Sequence, residues 1–480
     1  MDLEQVFQKG SFRALLRTAF SNEVVRRTAL PFVEKKLWQA VVENNTDGLP
    51  LQVQRDKYDI AVAVLHSVNR SISRGLISKA VLSRLLDTFL DNVVLNERRG
   101  RAAERLGFEP PLFILVSPGK RCNLRCTGCY ACSDSGSADK LDWDTFSRII
   151  TEKERLWGSY FTAISGGEPF MWQDNGLDLI DIALRHPSQF FLVYTNGTLI
   201  TKSVAKELAK SGNITPAISV EGFQEQTDAR RGKGVHRRIL QAMENLREAA
   251  VPFGISVTAT RQNAEIVMSD VFNDFYFDEQ GATYGWIFQY MPIGRGHQLE
   301  MMVTPQQRLE MYKRTWRTVR QRKIFIADFW NSGTASNGCI SAGRPGGYFH
   351  ITWDGEITPC AFVPYSMGNI YELFRAGQDL DAVLQLPLFK RIRQWQDEYA
   401  YAQPAENTGN WLCPCVIRDH FEVLLQAVQA TGARPIDQDA AEALADTEYH
   451  DGMIAYGNSY DRLTSKIWKE HYLPKQAVCL

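Results

Sequence analysis

The chain has 480 residues, with 54 basic and 55 acidic side chains and a formal net charge of -1. This length exceeds one compact core, so two or three domains are expected. The balanced charge gives no indication of nucleic-acid binding. The N-terminal sequence MDLEQVFQKGSFRALLRTAF lacks the apolar core of a secretory signal. No stretch approaches the ~18 apolar residues of a membrane span, so a cytoplasmic protein is expected.

Residues 1–105 are predicted to form a helical N-terminal domain. The segments FRALLRTAF, DIAVAVLHSVNRSI and KAVLSRLLDTFLDNVV have apolar residues at helical spacing with basic residues between them. A small bundle of this kind would cap the next domain. Basic amphipathic helices can also lie on lipid, so a membrane-associated platform for an apolar substrate is the second interpretation.

Residues 106–298 are predicted to alternate between strands and helices. Short runs rich in β-branched or aromatic residues occur at 112–117, 161–165, 190–195, 214–220, 253–260 and 284–291. Helix-like segments separate these runs. Six strand–helix units in series form a parallel sheet with right-handed crossovers. The sequence therefore predicts an α/β fold built on an open, partial (β/α)6 barrel.

Residues 299–435 depart from this alternation. Their pattern predicts one long basic helix at 300–325, a Gly- and Cys-rich stretch at 331–370, and helices near 380–400 and 418–431. We expect an α+β domain here, followed by a partly helical tail at 436–480.

The nine cysteines are unevenly distributed, with four between residues 122 and 132 and none in the first hundred. Clustering in a long chain favours metal or redox chemistry over a disulfide framework. Cys122, Cys126 and Cys129 form a C-x3-C-x2-C loop directly after the first predicted strand. Three thiolates can hold three irons of a cubane cluster and leave the fourth iron open. Cys132 is an alternative fourth ligand, and a structural zinc site is an alternative use of the loop.

This loop resembles the signature of the radical S-adenosylmethionine (SAM) superfamily, in which an aromatic residue commonly stands beside the last cysteine. Tyr130 has that position here. The resemblance covers residues 110–296. It implies a [4Fe–4S] cluster with an open iron, SAM, and an external low-potential electron donor of the flavodoxin or ferredoxin type. It also implies that SAM is cleaved reductively to a 5′-deoxyadenosyl radical, which abstracts a substrate hydrogen.

Further motifs of the same resemblance follow later strands: ISGGEP (164–169), YTNGTLI (194–200), SVEGFQEQTDARRGKG (219–234) and YMPIGRG (290–296). Each stands at the carboxyl end of a predicted strand, where parallel barrels build their active sites. The residues that the resemblance implies for SAM binding are Tyr130, Gly166, Gly167, Glu168, Asn196, Ser219 and Arg231.

The implied roles differ along the SAM molecule. Residues 166–168 are implied to bind the amino group, Asn196 to lie near the ribose, and Ser219 and Arg231 to lie near the carboxylate. A guanidinium matches a carboxylate by bidentate geometry, and Arg230 is an equal chemical candidate. The YMPIGRG segment is implied to present backbone groups to adenine. Ordinary turn chemistry and a solvated charge run are the alternatives.

A second cysteine motif lies towards the C-terminus. Cys339, Gly355 and Cys360 form a C-x15-G-x4-C pattern, which resembles the opening of the SPASM and twitch auxiliary-cluster domains. A hairpin turn at Gly355 would bring the two thiols together. With Cys413 and Cys415 the chain offers four thiols, too few for the two clusters of a full SPASM domain. One auxiliary [4Fe–4S] cluster is expected, and a four-thiolate zinc site is the alternative.

The sequence thus predicts a radical SAM enzyme, without assigning a catalytic acid or base. Its helical, cysteine-free N-terminus favours a small-molecule or lipid substrate, which would undergo oxidation or C–C or C–S bond formation. A peptide or protein maturase is the alternative. An iron–sulfur electron carrier or scaffold is a hypothesis of another class, and it would need no SAM pocket.

Overall fold

The computed structural model describes residues 17–473, apart from residues 19, 21, 46, 47, 95 and 97. The expectations for the first 16 and the last seven residues lie outside this part. The N-terminal region is helical, as predicted. Its helices are α1 (Glu23–Trp38, extended by a π-helical segment at Gln39–Glu43), α2 (Leu51–Ser73), α3 (Lys79–Leu85, extended by a π-helical segment at Leu86–Val94) and α4 (Arg98–Leu106).

Short strands make up the centre of the molecule. In chain order they are β1 (Phe113–Val116), β2 (Phe161–Ile164), β3 (Gln173–Asp174), β4 (Leu177–Asp178), β5 (Phe190–Thr195), β6 (Ile214–Val220), β7 (Gly254–Ala259), β8 (Tyr284–Gln289), β9 (Ile326–Asp328), β10 (His350–Ile351), β11 (Ile357–Thr358), β12 (Tyr365–Ser366) and β13 (Arg434–Pro435).

The main sheet has nine strands in the order β11-β10-β1-β2-β5-β6-β7-β8-β9. Its strands are parallel from β10 to β9, and β11 is antiparallel to β10. The six predicted strands are β1, β2 and β5 to β8, which confirms the partial-barrel fold class. The sequence pattern predicted the hairpin that β10 and β11 form at Gly355. It missed β9 and the pairing of β10 and β11 with this sheet, because each strand has only two or three residues.

Helices connect the strands and form the C-terminal region. They are α5 (Trp143–Trp157), α6 (Leu179–Arg185), α7 (Lys202–Ser211), α8 (Gln224–Arg231), α9 (Val235–Glu248), α10 (Asp270–Asn273), α11 (Pro305–Arg317), α12 (Ile370–Arg375), α13 (Leu380–Val383), α14 (Pro387–Gln396), α15 (Phe421–Thr431), α16 (Gln438–Ala445) and α17 (Thr447–Ile467). Shorter helical segments are π-helical at Asp274–Glu279, Thr318–Arg322, Asp397–Tyr401 and Trp468–Tyr472, and 3₁₀ at Pro169–Met171 and Leu299–Met301.

The helix expected at 300–325 begins later and ends earlier. Thr304 caps α11 with its side chain, and Pro305 occupies the first helical position. The helical run ends at Lys323, whose φ of +49° is left-handed. The chain then enters β9, which begins directly after the range predicted as helix.

One continuous apolar core joins Ala63 of α2, the barrel and the C-terminal region, with members up to Met453. The N-terminal helices have a smaller core of their own, which includes Val33, Leu37 and Leu82. After β9, residues 329–349 cross to β10 at the other end of the sheet. Within the described ranges, no helix is both long and apolar enough to cross a membrane.

Candidate functional site

A cavity of about 400 Å³ lies inside the barrel. Alternate residues of the strands face it, because successive side chains of a strand point to opposite sides of the sheet. The strand residues that line it are Phe113, Leu115, Phe161, Ala163, Leu192, Tyr194, Thr195, Ser219, Ser256, Thr258, Trp286, Phe288, Gln289, Ala327 and Asp328. Ile60 of α2 and several residues of the 329–349 segment complete the wall. One continuous space therefore contacts the barrel, the N-terminal helices and the C-terminal region.

The cysteine loop after β1 forms part of this wall. Cys122, Cys126 and Cys129 all line the cavity. Burial raises the pKa of the Cys122 thiol to about 12, and the Leu124 amide donates to its sulfur at 3.4 Å. Three thiols on one loop beside an open space match the donor set of a cubane cluster with one open iron.

Cys132 points elsewhere. It has a left-handed backbone conformation, with φ +48°, and its thiol lies beside Asp439 of α16. Burial and the Asp439 carboxylate raise the pKa of this thiol. The structure thus separates Cys132 from the three cavity-lining cysteines.

The Gly-Gly-Glu segment interlocks with the cysteine loop. A Cβ on Gly167 would lie 2.2 Å from the carbonyl oxygen of Arg121, and Gly166 has φ +108°. The Gly167 amide donates to Gly119 O at 2.9 Å, and the Glu168 amide donates to Arg121 O at 2.8 Å. The two glycines therefore allow the Gly-Gly-Glu segment and the cysteine loop to approach each other. Gly166 and Gly167 both line the cavity. This is a structural role for residues that the resemblance assigns to SAM.

Glu168 and Asn196 join the ends of β2 and β5. The buried Glu168 carboxylate accepts from Thr195 Oγ1 at 2.7 Å and from the Asn196 amide at 2.8 Å. Burial raises the pKa of Glu168, and these hydrogen bonds oppose the shift. The Asn196 side chain donates to Asn123 Oδ1 at 2.8 Å and lies 3.8 Å from Cys122 Sγ. Asn196 lines the cavity, whereas Glu168 lies behind the wall and is held by protein donors.

Arg230 and Arg231 share one carboxylate. Both contact the buried Glu221 at 2.6 Å, and both line the cavity together with Ser219. Arg231 Nη1 is also 4.0 Å from Cys126 Sγ. Burial opposes the charge on Arg231, but Glu221 and the neighbouring cysteines raise its pKa. The two guanidiniums place positive charge beside the cysteine loop.

Two further residues hold the cysteine loop in place. The hydroxyl of Tyr130 is 2.8 Å from Ser165 Oγ and accepts from the Gly166 amide at 3.2 Å. Arg295 donates to Cys126 O at 2.9 Å and to Ser133 O at 2.6 Å. Sequence reasoning missed Arg295 as a residue, although it belongs to the YMPIGRG motif.

The C-terminal thiols also approach each other. Gly355, with φ +84°, makes the predicted hairpin between β10 and β11, and Cys360 follows β11. Burial and the charges of Cys339 and Cys360 raise the pKa of Cys415 far above its usual range. Burial likewise raises the pKa of Cys413, and the charge of Cys415 contributes a smaller part of that increase.

These electrostatic effects indicate that Cys415 lies near the other three predicted thiols. Across the part of the chain that the structure describes, no three His, Cys, Asp or Glu side chains converge on a single metal ion.

Two family models match the chain. One is the radical SAM superfamily, at residues 116–267, and the other is an iron–sulfur cluster-binding domain, SPASM, at residues 339–406. Cys339 and Cys360 lie within the second match, and Cys413 and Cys415 lie just beyond its end. The chain belongs to the radical SAM superfamily and contains a SPASM-type domain.

Its relatives include enzymes of two kinds. The mycofactocin maturase MftC of Mycolicibacterium smegmatis is 29% identical over 331 residues, which are 66% of this chain and 77% of the relative. The AdoMet-dependent heme synthase of Methanosarcina barkeri is 29% identical over 281 residues, 52% of this chain and 77% of the relative.

A solved structure has a similar fold. The crystal structure of Streptococcus suis SuiB bound to precursor peptide SuiA aligns with a TM-score of 0.50 at 20% identity, over 62% of this chain and 70% of SuiB. The two family matches, together with the relatives, identify the protein as a radical SAM enzyme, which cleaves SAM reductively to a 5′-deoxyadenosyl radical. The radical SAM domain implies SAM and a [4Fe–4S] cluster as cofactors, and the SPASM domain implies auxiliary iron–sulfur clusters.

Proposed function

We propose that Cys122, Cys126 and Cys129 hold the [4Fe–4S] cluster at which SAM is cleaved. The observation that supports this assignment is that the three thiols line one cavity with every predicted SAM residue except Glu168, while Cys132 faces Asp439. A fourth protein thiolate would occupy the iron that must stay open.

The chain's own residues bind and orient SAM in this proposal. When bound, the cluster and SAM supply the one-electron chemistry that yields the 5′-deoxyadenosyl radical. Arg230 and Arg231 offer guanidiniums for the SAM carboxylate, Asn196 is placed for the ribose, and Gly166 and Gly167 leave room for the amino group. The largely apolar wall keeps water away from the reactive radical.

We also propose that Cys339, Cys360, Cys413 and Cys415 hold one auxiliary [4Fe–4S] cluster. Four thiolates saturate a cubane and leave no iron for substrate. Its work would then be electron transfer or structural support. Electron transfer suits a reaction in which a substrate radical is oxidised.

Anaerobic reconstitution tests both assignments. The wild type should contain about eight irons, and the variant with Cys122, Cys126 and Cys129 all changed to Ala should contain about four. This variant should form no 5′-deoxyadenosine with dithionite. Production at the wild-type rate would refute the first assignment, and about four irons plus one zinc in the wild type would refute the second.

The substrate proposed first is an uncharged, largely apolar small molecule or lipid. The described cavity wall is mostly apolar, with aromatic rings such as Phe288 and hydroxyls such as those of Ser256 and Thr258. Its charged members are engaged within the protein: Arg230 and Arg231 with Glu221, and Asp328 with Gln289. Ile60 also contributes to the wall from the N-terminal helices.

A peptide side chain is the second candidate, because MftC is a maturase by name. Cell extract can be divided into an organic fraction and a peptide fraction to distinguish the two. Stimulation of 5′-deoxyadenosine formation by the organic fraction, resistant to protease treatment, supports the small-molecule proposal. Stimulation by the peptide fraction alone, sensitive to protease, supports a maturase.

The electron donor and the location of the protein are proposals as well. A cytoplasmic flavodoxin- or ferredoxin-like protein would reduce the cluster. Peripheral membrane contact would use α1, which exposes Val24 and Phe32 near Arg27 and Lys36. Flotation with anionic vesicles tests this contact, and Val24→Glu should reduce it. Absence of the wild-type protein from the vesicle fraction would rule it out.

A further inference from the structure

Tyr348 lies between the cavity and the C-terminal thiols. Its ring lines the cavity and stacks on Phe113, with a centroid distance of 4.9 Å and an interplanar angle of 4°. Its hydroxyl oxygen is 2.9 Å from Cys360 Sγ. Only 2% of the residue is exposed, so water does not compete for this hydroxyl. One side chain therefore contacts both the substrate space and a proposed cluster ligand.

The direction of this hydrogen bond follows from the state of the sulfur. With a protonated thiol, either the hydroxyl or the thiol could be the donor. A cluster-bound thiolate has no proton and can only accept. The Tyr348 O–H must then donate to Cys360.

A second hydroxyl, that of Ser341, lies within hydrogen-bond distance of the Cys339 sulfur. Ser341 Oγ is 3.2 Å from Cys339 Sγ, and it accepts from Gln396 Nε2 at 3.3 Å. A cluster-bound thiolate at Cys339 can only accept, so the serine hydroxyl would donate to it. Gln396 also donates to the backbone oxygens of Cys339 and Ser341, both at 3.2 Å. This contact fixes the serine beside the thiol.

We propose that Tyr348 is a positioning residue that sets the reduction potential of the auxiliary cluster from the cavity side, with Ser341 as a second donor. The inference rests on the proposed assignment of Cys339 and Cys360 as cluster ligands. A hydrogen bond to a cluster sulfur stabilises the extra negative charge of the reduced form, so it raises the reduction potential. A substrate packed against the Tyr348 ring would lie one side chain away from a cluster ligand.

The test uses the full chain with Cys122, Cys126 and Cys129 changed to Ala, so that the auxiliary cluster is studied alone. Its midpoint potential is measured by an anaerobic redox titration followed by electron paramagnetic resonance. Tyr348→Phe keeps the ring stacked on Phe113 and removes the donor. We expect about four irons to remain and the midpoint to shift to a more negative potential.

Two further variants accompany it. Ser341→Ala should shift the midpoint in the same direction. Tyr371→Phe is the matched control, because its hydroxyl accepts from the Asp142 amide at 3.3 Å and is not bonded to a thiol. The midpoint of this control should not move.

Unchanged midpoints in Tyr348→Phe and Ser341→Ala, or shifts to more positive potentials, would overturn the inference. If Tyr348→Phe loses its iron, the midpoint potential of Ser341→Ala is the remaining test, and an unchanged midpoint in that variant would also overturn the inference. Absence of any cluster in the triple-Ala background itself would instead overturn the proposed auxiliary site, on which the inference rests.

Discussion

Cys132 shows how a single backbone conformation decides which thiols share a site. It stands only three positions after Cys129, yet its left-handed φ of +48° turns the thiol towards Asp439. The carboxylate disfavours a thiolate there, because two negative charges in proximity repel each other. The spacing of the four cysteines alone leaves a four-ligand site open, and this conformation argues against it.

We predict that Cys132→Ala retains the SAM cluster and forms 5′-deoxyadenosine at close to the wild-type rate. Cys126→Ala is the matched variant from the same loop, and it should lose nearly all activity. Iron content and 5′-deoxyadenosine after dithionite reduction measure both effects. Failure of Cys132→Ala to assemble the cluster would restore the four-ligand interpretation.

Gly167 stands where the Gly-Gly-Glu segment contacts the cysteine loop. Its missing side chain lets the Gly-Gly-Glu segment approach Lys120 and Arg121, whose carbonyl oxygens would lie 2.4 and 2.2 Å from a Cβ. Gly167→Ala should therefore displace the cysteine loop, at a cost of about 2–3 kcal/mol in the free energy of unfolding. SAM cleavage should fall at the same time.

Gly136→Ala is the control for this change, because a Cβ there has its nearest contact at 3.5 Å. Urea denaturation of the iron-free protein and single-turnover 5′-deoxyadenosine formation are the measurements. Equal stability and activity of the two variants would contradict the close approach of the loops.

At the scale of elements, α11 is tied to the C-terminal region by a buried ion pair. Arg308 of α11 and Asp419, just before α15, are both fully buried, with Nη2 and Oδ2 3.2 Å apart. Asp419 also accepts the Cys415 amide at 3.0 Å, and the Arg308 guanidinium lies 3.7 Å from the Tyr460 ring centroid. The pair thus positions the Cys413–Cys415 loop.

Asp419→Asn should lower the free energy of unfolding by about 3–5 kcal/mol, since it leaves a buried guanidinium without its counter-charge. Asp270→Asn breaks the exposed pair with Arg317 and should cost about 1 kcal/mol or less. Chemical denaturation of the iron-free proteins compares them. Similar losses for the two variants would show that the buried pair has no special role.

At the scale of the whole molecule, the N-terminal helices are bound to the rest by α2. Asp56 is fully buried and contacts Thr334 Oγ1 at 2.7 Å, Tyr472 Oη at 2.8 Å and Arg320 at 2.6 Å. Ser67 accepts the Phe325 amide at 2.8 Å. Removal of α2 would break these contacts and would open the cavity wall at Ile60.

A chain that begins at Arg101 should therefore be less stable than the full chain by several kcal/mol, at about 1 kcal/mol for each lost hydrogen bond before the exposed apolar area is counted. Its urea midpoint and its protease resistance measure the effect. Asp56→Asn in the full chain is a milder form of the same change and should lower the midpoint less. A truncated chain with the wild-type midpoint would show that the N-terminal helices are an independent cap.

Local patterns in the sequence determined much of this protein. The six predicted strands and the cysteine loop each follow from neighbouring residues, because runs of β-branched or aromatic residues and ligand spacing are properties of short segments. The hairpin at Gly355 is of the same kind, since a glycine permits the positive φ that the turn requires.

Only the tertiary structure decided which distant groups meet. The strands β10 and β11 form because β10 pairs with β1. In the same region Ser117 Oγ lies 2.8 Å from His350 Nε2, although the two residues are 233 positions apart in the sequence. The hydrogen bonds from Arg295 to the cysteine loop, and the contact of Tyr348 with Cys360, likewise depend on the packing of separate segments. Such contacts have no local signature, because the free energy that selects them comes from burying surfaces that are far apart in the chain.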